Sequence, residues 1–200
     1  MSIIENNKKG NANKDKTFLD DYWARYQKLF FDSRDDYSIL KFRDCIEETN
    51  SKKGKLFFIG NGASASLASH AATDFTKQAK ISAVALNDHN LITALSNDYG
   101  YENWVSKAIE YYVNSNDRVI FISVSGESKN LVNGLNYAIK NNIKTASLTG
   151  SNIKNTLKEN TECSLWVNSK AYNIVESIHT IWITLIIDLF VGSPEYSVNE

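Results

Sequence analysis

Two hundred residues, 42% hydrophobic and 12% aromatic, are enough to bury one substantial core and leave length for an accessory helix or arm. With 22 basic against 23 acidic residues and a net charge of -1, the chain carries no basic footprint, which argues against nucleic acid as a direct ligand. Its two cysteines, Cys45 and Cys163, are far apart in sequence and lack metal-ligand spacing, so a reducing compartment, the cytoplasm by default, is expected rather than a disulfide framework.

The opening stretch MSIIENNKKGNANKDK has no apolar core of signal-peptide length, and its Asn, Lys and Gly content predicts a solvated, disordered arm over residues 1–16. Residues 17–192 read as a single domain and 193–200 as a tail. Phe18, Leu19, Tyr22, Tyr26, Leu29 and Phe30, then Ile39, Leu40, Phe42 and Ile46, recur at helical spacing and predict two N-terminal helices. Five short apolar runs follow: KLFFIG, ISAVAL, RVIFISVS, KTASLTG and CSLWVN. Amphipathic stretches lie between most of them, which is the pattern of a parallel sheet covered on both faces by helices.

Asp88, His89 and Asn90, after the second run, predict a turn, while Trp104, Tyr111 and Tyr112 read as core or interface. The last helix, around IHTIWITLIIDLFVG, has an apolar run shorter than the ~20 residues that span a bilayer, interrupted by His179 and Asp188. It reads as a buried helix at a core or subunit interface, ended near Pro194, and no membrane is expected as a partner.

In parallel α/β sheets, ligands bind beyond the carboxyl ends of the strands, where helix N-termini offer unpaired N–H groups. Two loops fall there. The first is Gly60-Asn61-Gly62-Ala63-Ser64. The second is SVSGES, in which Ser123, Ser125 and Ser128 place three hydroxyls around Gly126. That set suits a phosphate without lysine, whereas helix capping alone explains one serine easily and three less well. The first loop also fits G-x-G-x-x-A, with Asp88 as a ribose-binding acid, but the 28-residue interval from Gly60 is longer than the ~20 of a dinucleotide fingerprint. His70 and Asp74 lie four apart on the helix after the first loop, spacing that gives either an ordinary i,i+4 contact or two ligands of one site. In the last helix Glu176, Thr180 and Thr184 share a face and His179 flanks it; a carboxylate in so apolar a helix is costly without a partner or ligand.

GNGAS, the following H-x-x-x-D, ALNDHNLITALSNDYGYE, SVSGES, SLTG and the E-x-x-H of the last helix occur in the order and approximate spacing of the sugar isomerase (SIS) domain. More narrowly, residues 20–192 resemble the bacterial phosphoheptose isomerases. The resemblance implies a flavodoxin-like three-layer α/β/α sandwich with a central parallel sheet and a helical N-terminal extension. It also implies a homotetramer with active sites shared between subunits, and conversion of sedoheptulose 7-phosphate to D-glycero-D-manno-heptose 7-phosphate for surface-polysaccharide precursors such as those of lipopolysaccharide. Carried over by position, it implies phosphosugar contacts at Asn61, Gly62, Ala63, Ser64, Asn97, Asp98, Ser123, Val124, Ser125, Ser128 and Glu176.

The same resemblance places metal and proton-transfer chemistry at His70, Asp74, Glu176 and Thr184. Here the chain departs from the family, which usually has glutamate, glutamine and histidine at the positions of Asp74, Glu176 and Thr184, and a second glycine at Ala63. Threonine is no general acid near neutral pH. The expected catalytic set is therefore Asp74, Glu176 and His179, with His70, Asp74 and Glu176 as ligands of one divalent ion, zinc by preference. The alternative is an SIS domain that binds a phosphosugar, or a replication initiator protein, without catalysis.

Overall fold

The computed structural model describes residues 3–197, so Met1, Ser2 and the last three residues of the expected tail lie outside it. The chain divides into two compact units, residues 1–34 and 35–200.

The first unit is one helix, α1 (Ile3–Asp32). The stretch expected to be a disordered arm is thus helical from Ile3. A polar segment without proline propagates a helix at little cost once the following turns are formed. Those turns are held by i,i+4 pairs, Lys16 with Asp20 and Arg25 with Asp21, each at 2.6 Å, and by a ladder of rings in which Phe18 stacks on Tyr22.

The second unit begins with α2 (Asp36–Ser51), whose first turn is capped by the Asp35 carboxylate accepting from the Ser38 N–H at 3.0 Å. β1 (Leu56–Gly60) and α3 (Ala63–Lys77) follow, then β2 (Ala83–Ala85), α4 (His89–Tyr99) and α5 (Trp104–Tyr112). The chain continues through β3 (Arg118–Ser123), α6 (Lys129–Lys140), β4 (Lys144–Thr149), the short α7 (Thr156–Asn160), β5 (Cys163–Trp166) and α8 (Tyr172–Val191). All five strands are parallel, in the order β2-β1-β3-β4-β5. This is the flavodoxin-like winding, and it puts the topological switch between β1 and β3.

Alternation along β1 builds the two core layers. Phe57 and Ile59 join Val119 and Phe121 of β3 beneath α5 and α6, packing on Trp104, Ile109, Leu131 and Leu135. Phe58 points the other way and stacks on Phe75 of α3, ring centroids 5.5 Å apart, with Phe190 of α8 beyond it. The β1 and β3 positions are buried throughout, as expected for central strands covered on both faces. At the amino ends of the strands the buried Arg118 donates to the Thr49 hydroxyl, the Thr145 carbonyl and the Glu48 and Glu162 carboxylates, at 3.0–3.3 Å, and so pins α2 to β4 and to the start of β5.

Two further sequence expectations change. Asp88-His89-Asn90 is the start of α4 rather than a turn: Asp88 Oδ1 accepts from the Asn90 and Leu91 N–H groups at 2.9 and 3.2 Å, so this carboxylate is a helix cap, not a ribose ligand. α8 reaches 20 residues because it begins upstream at Tyr172, and by length and composition alone it meets the requirement for a membrane span, with 44% of its most apolar window buried. The buried side chains include Val175, Ile178, Trp182 and Ile186, and they pack toward α3, α2 and β4.

Candidate active site

The two loops singled out by composition meet at the switch point. β1 delivers Asn61 and Gly62, and Gly62 takes φ +56°, a left-handed conformation that glycine adopts without strain and that aims the first turn of α3 outward. β3 delivers Ser123 through Ser128, turning at Gly126 with φ +68°. Ser123 Oγ accepts from the Gly126 N–H at 3.1 Å and Ser125 Oγ from the Glu127 N–H at 3.2 Å, and the two hydroxyls share a hydrogen bond of 3.5 Å, so one of them keeps its proton to donate outward. Ser128 occupies the cap position of α6 but makes no cap hydrogen bond, which leaves its hydroxyl for a ligand.

Asn61, Ser64, Ser123, Val124, Ser125 and Ser128 line a cavity of about 80 Å³, closed on its far side by Tyr172 and Glu176 of α8. This is the size of a small anion, and the lining is hydroxyls and amide rather than cations. Against it lies a cavity of about 490 Å³ between α3 and α8, lined by Ala63, Ser66 and His70 on one wall and Asn173, Glu176 and Thr180 on the other. Ser64 and Glu176 border both cavities. Among the described residues no hydrogen bond or ion pair engages the Glu176 carboxylate. His70 Nε2 lies 3.4 Å from Asp74 Oδ2, and Asp74 sits one turn past His70, away from the cavity lining.

Other expected residues fall elsewhere. Asn97 and Asp98 are exposed at the end of α4, joined by an Asn97-to-Asp98 hydrogen bond of 2.9 Å, and border neither cavity of the single chain. Thr184 donates to the carbonyls of Thr180 and Ile181 in its own helix, at 3.1 and 3.0 Å. His179 edges the larger cavity but is fully buried, with Nε2 donating to the Thr149 carbonyl at 3.1 Å and Nδ1 without a partner. Burial lowers its pKa to about 4, against the opposing effect of the Thr149 hydrogen bond. It is a neutral imidazole at physiological pH, so the geometry gives no support to its expected role as an acid.

Of the expected ligands, His70 and Glu176 face the larger cavity from opposite helices, and Asp74 lies beside His70. Among the described residues, no three His, Cys, Asp or Glu side chains come close enough to hold one metal ion. No step below runs through a metal.

The sequence reading missed Asn130 and Tyr101. Asn130, buried in the first turn of α6, exchanges two hydrogen bonds with the Asn61 amide, and the Tyr101 hydroxyl donates to Asn61 Oδ1 at 3.2 Å. Asn130 directly follows the serine-rich loop, but in sequence an asparagine there is indistinguishable from a capping residue.

A parallel α/β domain holding a hydroxyl-lined anion cavity at its switch point, joined to a groove bearing a carboxylate and an imidazole, belongs to the class of phosphorylated-ligand proteins. The profile described as "SIS domain" matches residues 21–150. A phosphoheptose isomerase of Helicobacter pylori is 36% identical over 147 residues, spanning 70% of this chain and 76% of the relative. In fold, the chain is similar to the phosphoheptose isomerases of Neisseria gonorrhoeae (TM-score 0.79, 23% identity, 88% of this chain and 98% of the other) and Francisella tularensis (TM-score 0.81, 21% identity, the same coverages). The chain belongs to the SIS-domain family and, within it, to the phosphoheptose isomerase group. That membership supports an isomerase-type activity on a phosphorylated sugar.

Proposed function

We propose that this protein interconverts sedoheptulose 7-phosphate and D-glycero-D-manno-heptose 7-phosphate through an enediol. The observation that carries the reading is the common wall of Ser64 and Glu176: a phosphate in the small cavity would hold the sugar's other end in the groove beside Glu176 and His70. Ketose–aldose exchange requires a base that takes a proton beside the carbonyl and returns one at the neighbouring carbon, and a group that moves a proton at the carbonyl oxygen. We assign the first task to Glu176 and the second to His70, with Asp74 a positioning residue that orients the imidazole. Asn97 and Asp98 would complete the sugar contacts from a neighbouring subunit.

A homotetramer is part of the proposal. Ile181, Leu185 and Leu189 recur every four residues along α8 and are each about 40% exposed in the single chain, an apolar stripe that suits burial against another copy. A cytoplasmic setting accords with the two unbridged thiols. Thr184, turned back on its own helix, favours the second reading, a phosphosugar-binding domain without turnover.

Calorimetric titration with sedoheptulose 7-phosphate and with unphosphorylated sedoheptulose tests the anion cavity. Binding of the phosphate ester alone, weakened about tenfold or more by Ser128→Ala through loss of one hydrogen bond to a charged group, is the expected result. Equal affinity for both sugars would reject it. Multiple-turnover isomerisation would then separate the enzyme from the binding domain.

A further inference from the structure

Cys45 and Cys163, more than a hundred residues apart in sequence, are brought into one neighbourhood in the fold, where α2 packs on β5 around the Arg118 guanidinium. The contact is fixed from both sides by Arg118, which donates to Glu48 one turn after Cys45 and to Glu162 immediately before Cys163. Thr49 adds a brace, since its hydroxyl accepts from Arg118 Nε at 3.0 Å and donates to the Cys45 carbonyl at 3.2 Å. The two sulfurs differ in access: Cys45 is half-buried and Cys163 is buried.

We infer that Cys45 and Cys163 are a redox-modification site, closing to an intramolecular disulfide when a hydroperoxide reaches Cys45. The thiolate of Cys45 attacks one peroxide oxygen, breaking the O–O bond, and the departing hydroxide takes a proton to leave as water. The Cys163 sulfur then displaces the hydroxyl of the resulting sulfenic acid, and that hydroxide leaves as a second water with the Cys163 proton. The thiols lose two electrons and two protons in all, and the peroxide is reduced to water.

The local electrostatics fit this order of events. The neighbouring Cys163 thiol, and with it the Arg118 guanidinium, lowers the Cys45 thiol to about 7 against burial and the nearby Glu162 and Glu48 carboxylates, so a large share is thiolate at neutral pH. Cys163 is pushed upward by the neighbouring Cys45 and by burial, which makes it the resolving rather than the attacking sulfur. The pair lies at the amino ends of β3 and β5, opposite the ligand loops, so oxidation is expected to leave phosphosugar binding intact.

The chain has only these two cysteines, so its thiol count reports on the pair. The full-length protein would be treated with limiting hydrogen peroxide, alkylated with N-ethylmaleimide under denaturing conditions and weighed by intact mass spectrometry. The expected product is a monomer lighter by two hydrogens, carrying no maleimide and restored to double alkylation by dithiothreitol. Cys163→Ser is expected to leave a sulfenic acid on Cys45 that dimedone traps, and Cys45→Ser to leave Cys163 unreactive. Full alkylation after peroxide, disulfide-linked dimers in place of the closed monomer, or equal peroxide reactivity of the two single variants would overturn the proposal.

Discussion

The side-chain amides of Asn61 and Asn130 are hydrogen-bonded to each other twice, Asn61 donating at 3.1 Å and Asn130 at 2.9 Å, and this pair ties the loop after β1 to the first turn of α6. With Tyr101 also donating to Asn61 Oδ1, the second Asn61 N–H is left for the anion cavity that its side chain lines. Asn130→Ala should therefore weaken sedoheptulose 7-phosphate about tenfold, the cost of ~1.4 kcal/mol expected when a buried amide loses its partner. Asn130→Asp should cost more, because it sets a carboxylate oxygen against Asn61 Oδ1 in place of the amide donor. Calorimetric Kd values for the two variants check this ordering, and unchanged affinities would show that the pair does not organise the loops.

The positive-φ glycines of the two site loops, Gly62 and Gly126, should respond differently to a methyl group. A Cβ on Gly126 would overlap the Asn155 side-chain oxygen, whereas one on Gly62 would meet nothing within 4 Å. Asn155 is fully buried and donates to Thr149 Oγ1, the Gly150 carbonyl and the Asn152 carbonyl, so it has no room to yield. Gly62→Ala should cost only the conformational strain of about 1–2 kcal/mol, and Gly126→Ala at least ~1 kcal/mol more through overpacking. Urea denaturation of both variants measures the difference.

His179 should make the fold acid-sensitive in a defined window. Its folded pKa of about 4 lies below the unfolded 6.5, so between these values the unfolded chain binds more protons and stability falls as pH is lowered. The loss across the window is on the order of 3 kcal/mol. His179→Gln removes this titration, and the stability difference between neutral and mildly acidic solution should shrink by a comparable amount in urea melts at the two pH values.

Much of this architecture was legible in the sequence because its signals are local. Five apolar runs bounded by turn residues gave the strands, and the glycine and serines after the first and third marked the switch-point loops. The second run was read too long: ISAVAL pairs only over Ala83–Ala85, because β2 is an edge strand with one neighbour. The placements that failed depend on three-dimensional context. Nothing local distinguishes Asp88 as a cap from Asp88 as the head of a turn, or predicts that His179 would be sealed against Thr149. Asp74 and His70 were rightly placed on one helical face, but which of the two would reach the groove depends on where α8 crosses α3. The meeting of Cys45 with Cys163 is likewise a consequence of α2 packing on β5.

Glu176 is the group proposed to move the proton between two sugar carbons. The measurement that tests it most directly is NMR of sedoheptulose 7-phosphate incubated with the protein in deuterated water, for the wild type and for Glu176→Gln, an isosteric change that keeps the groove's shape and removes its base. Deuterium at the carbon beside the carbonyl together with aldose product is expected for the wild type, and a loss of at least about a hundredfold in both for Glu176→Gln, the usual contribution of a general base. Exchange and turnover at wild-type rates in the variant, or neither from a wild type that demonstrably binds the ester, would contradict it.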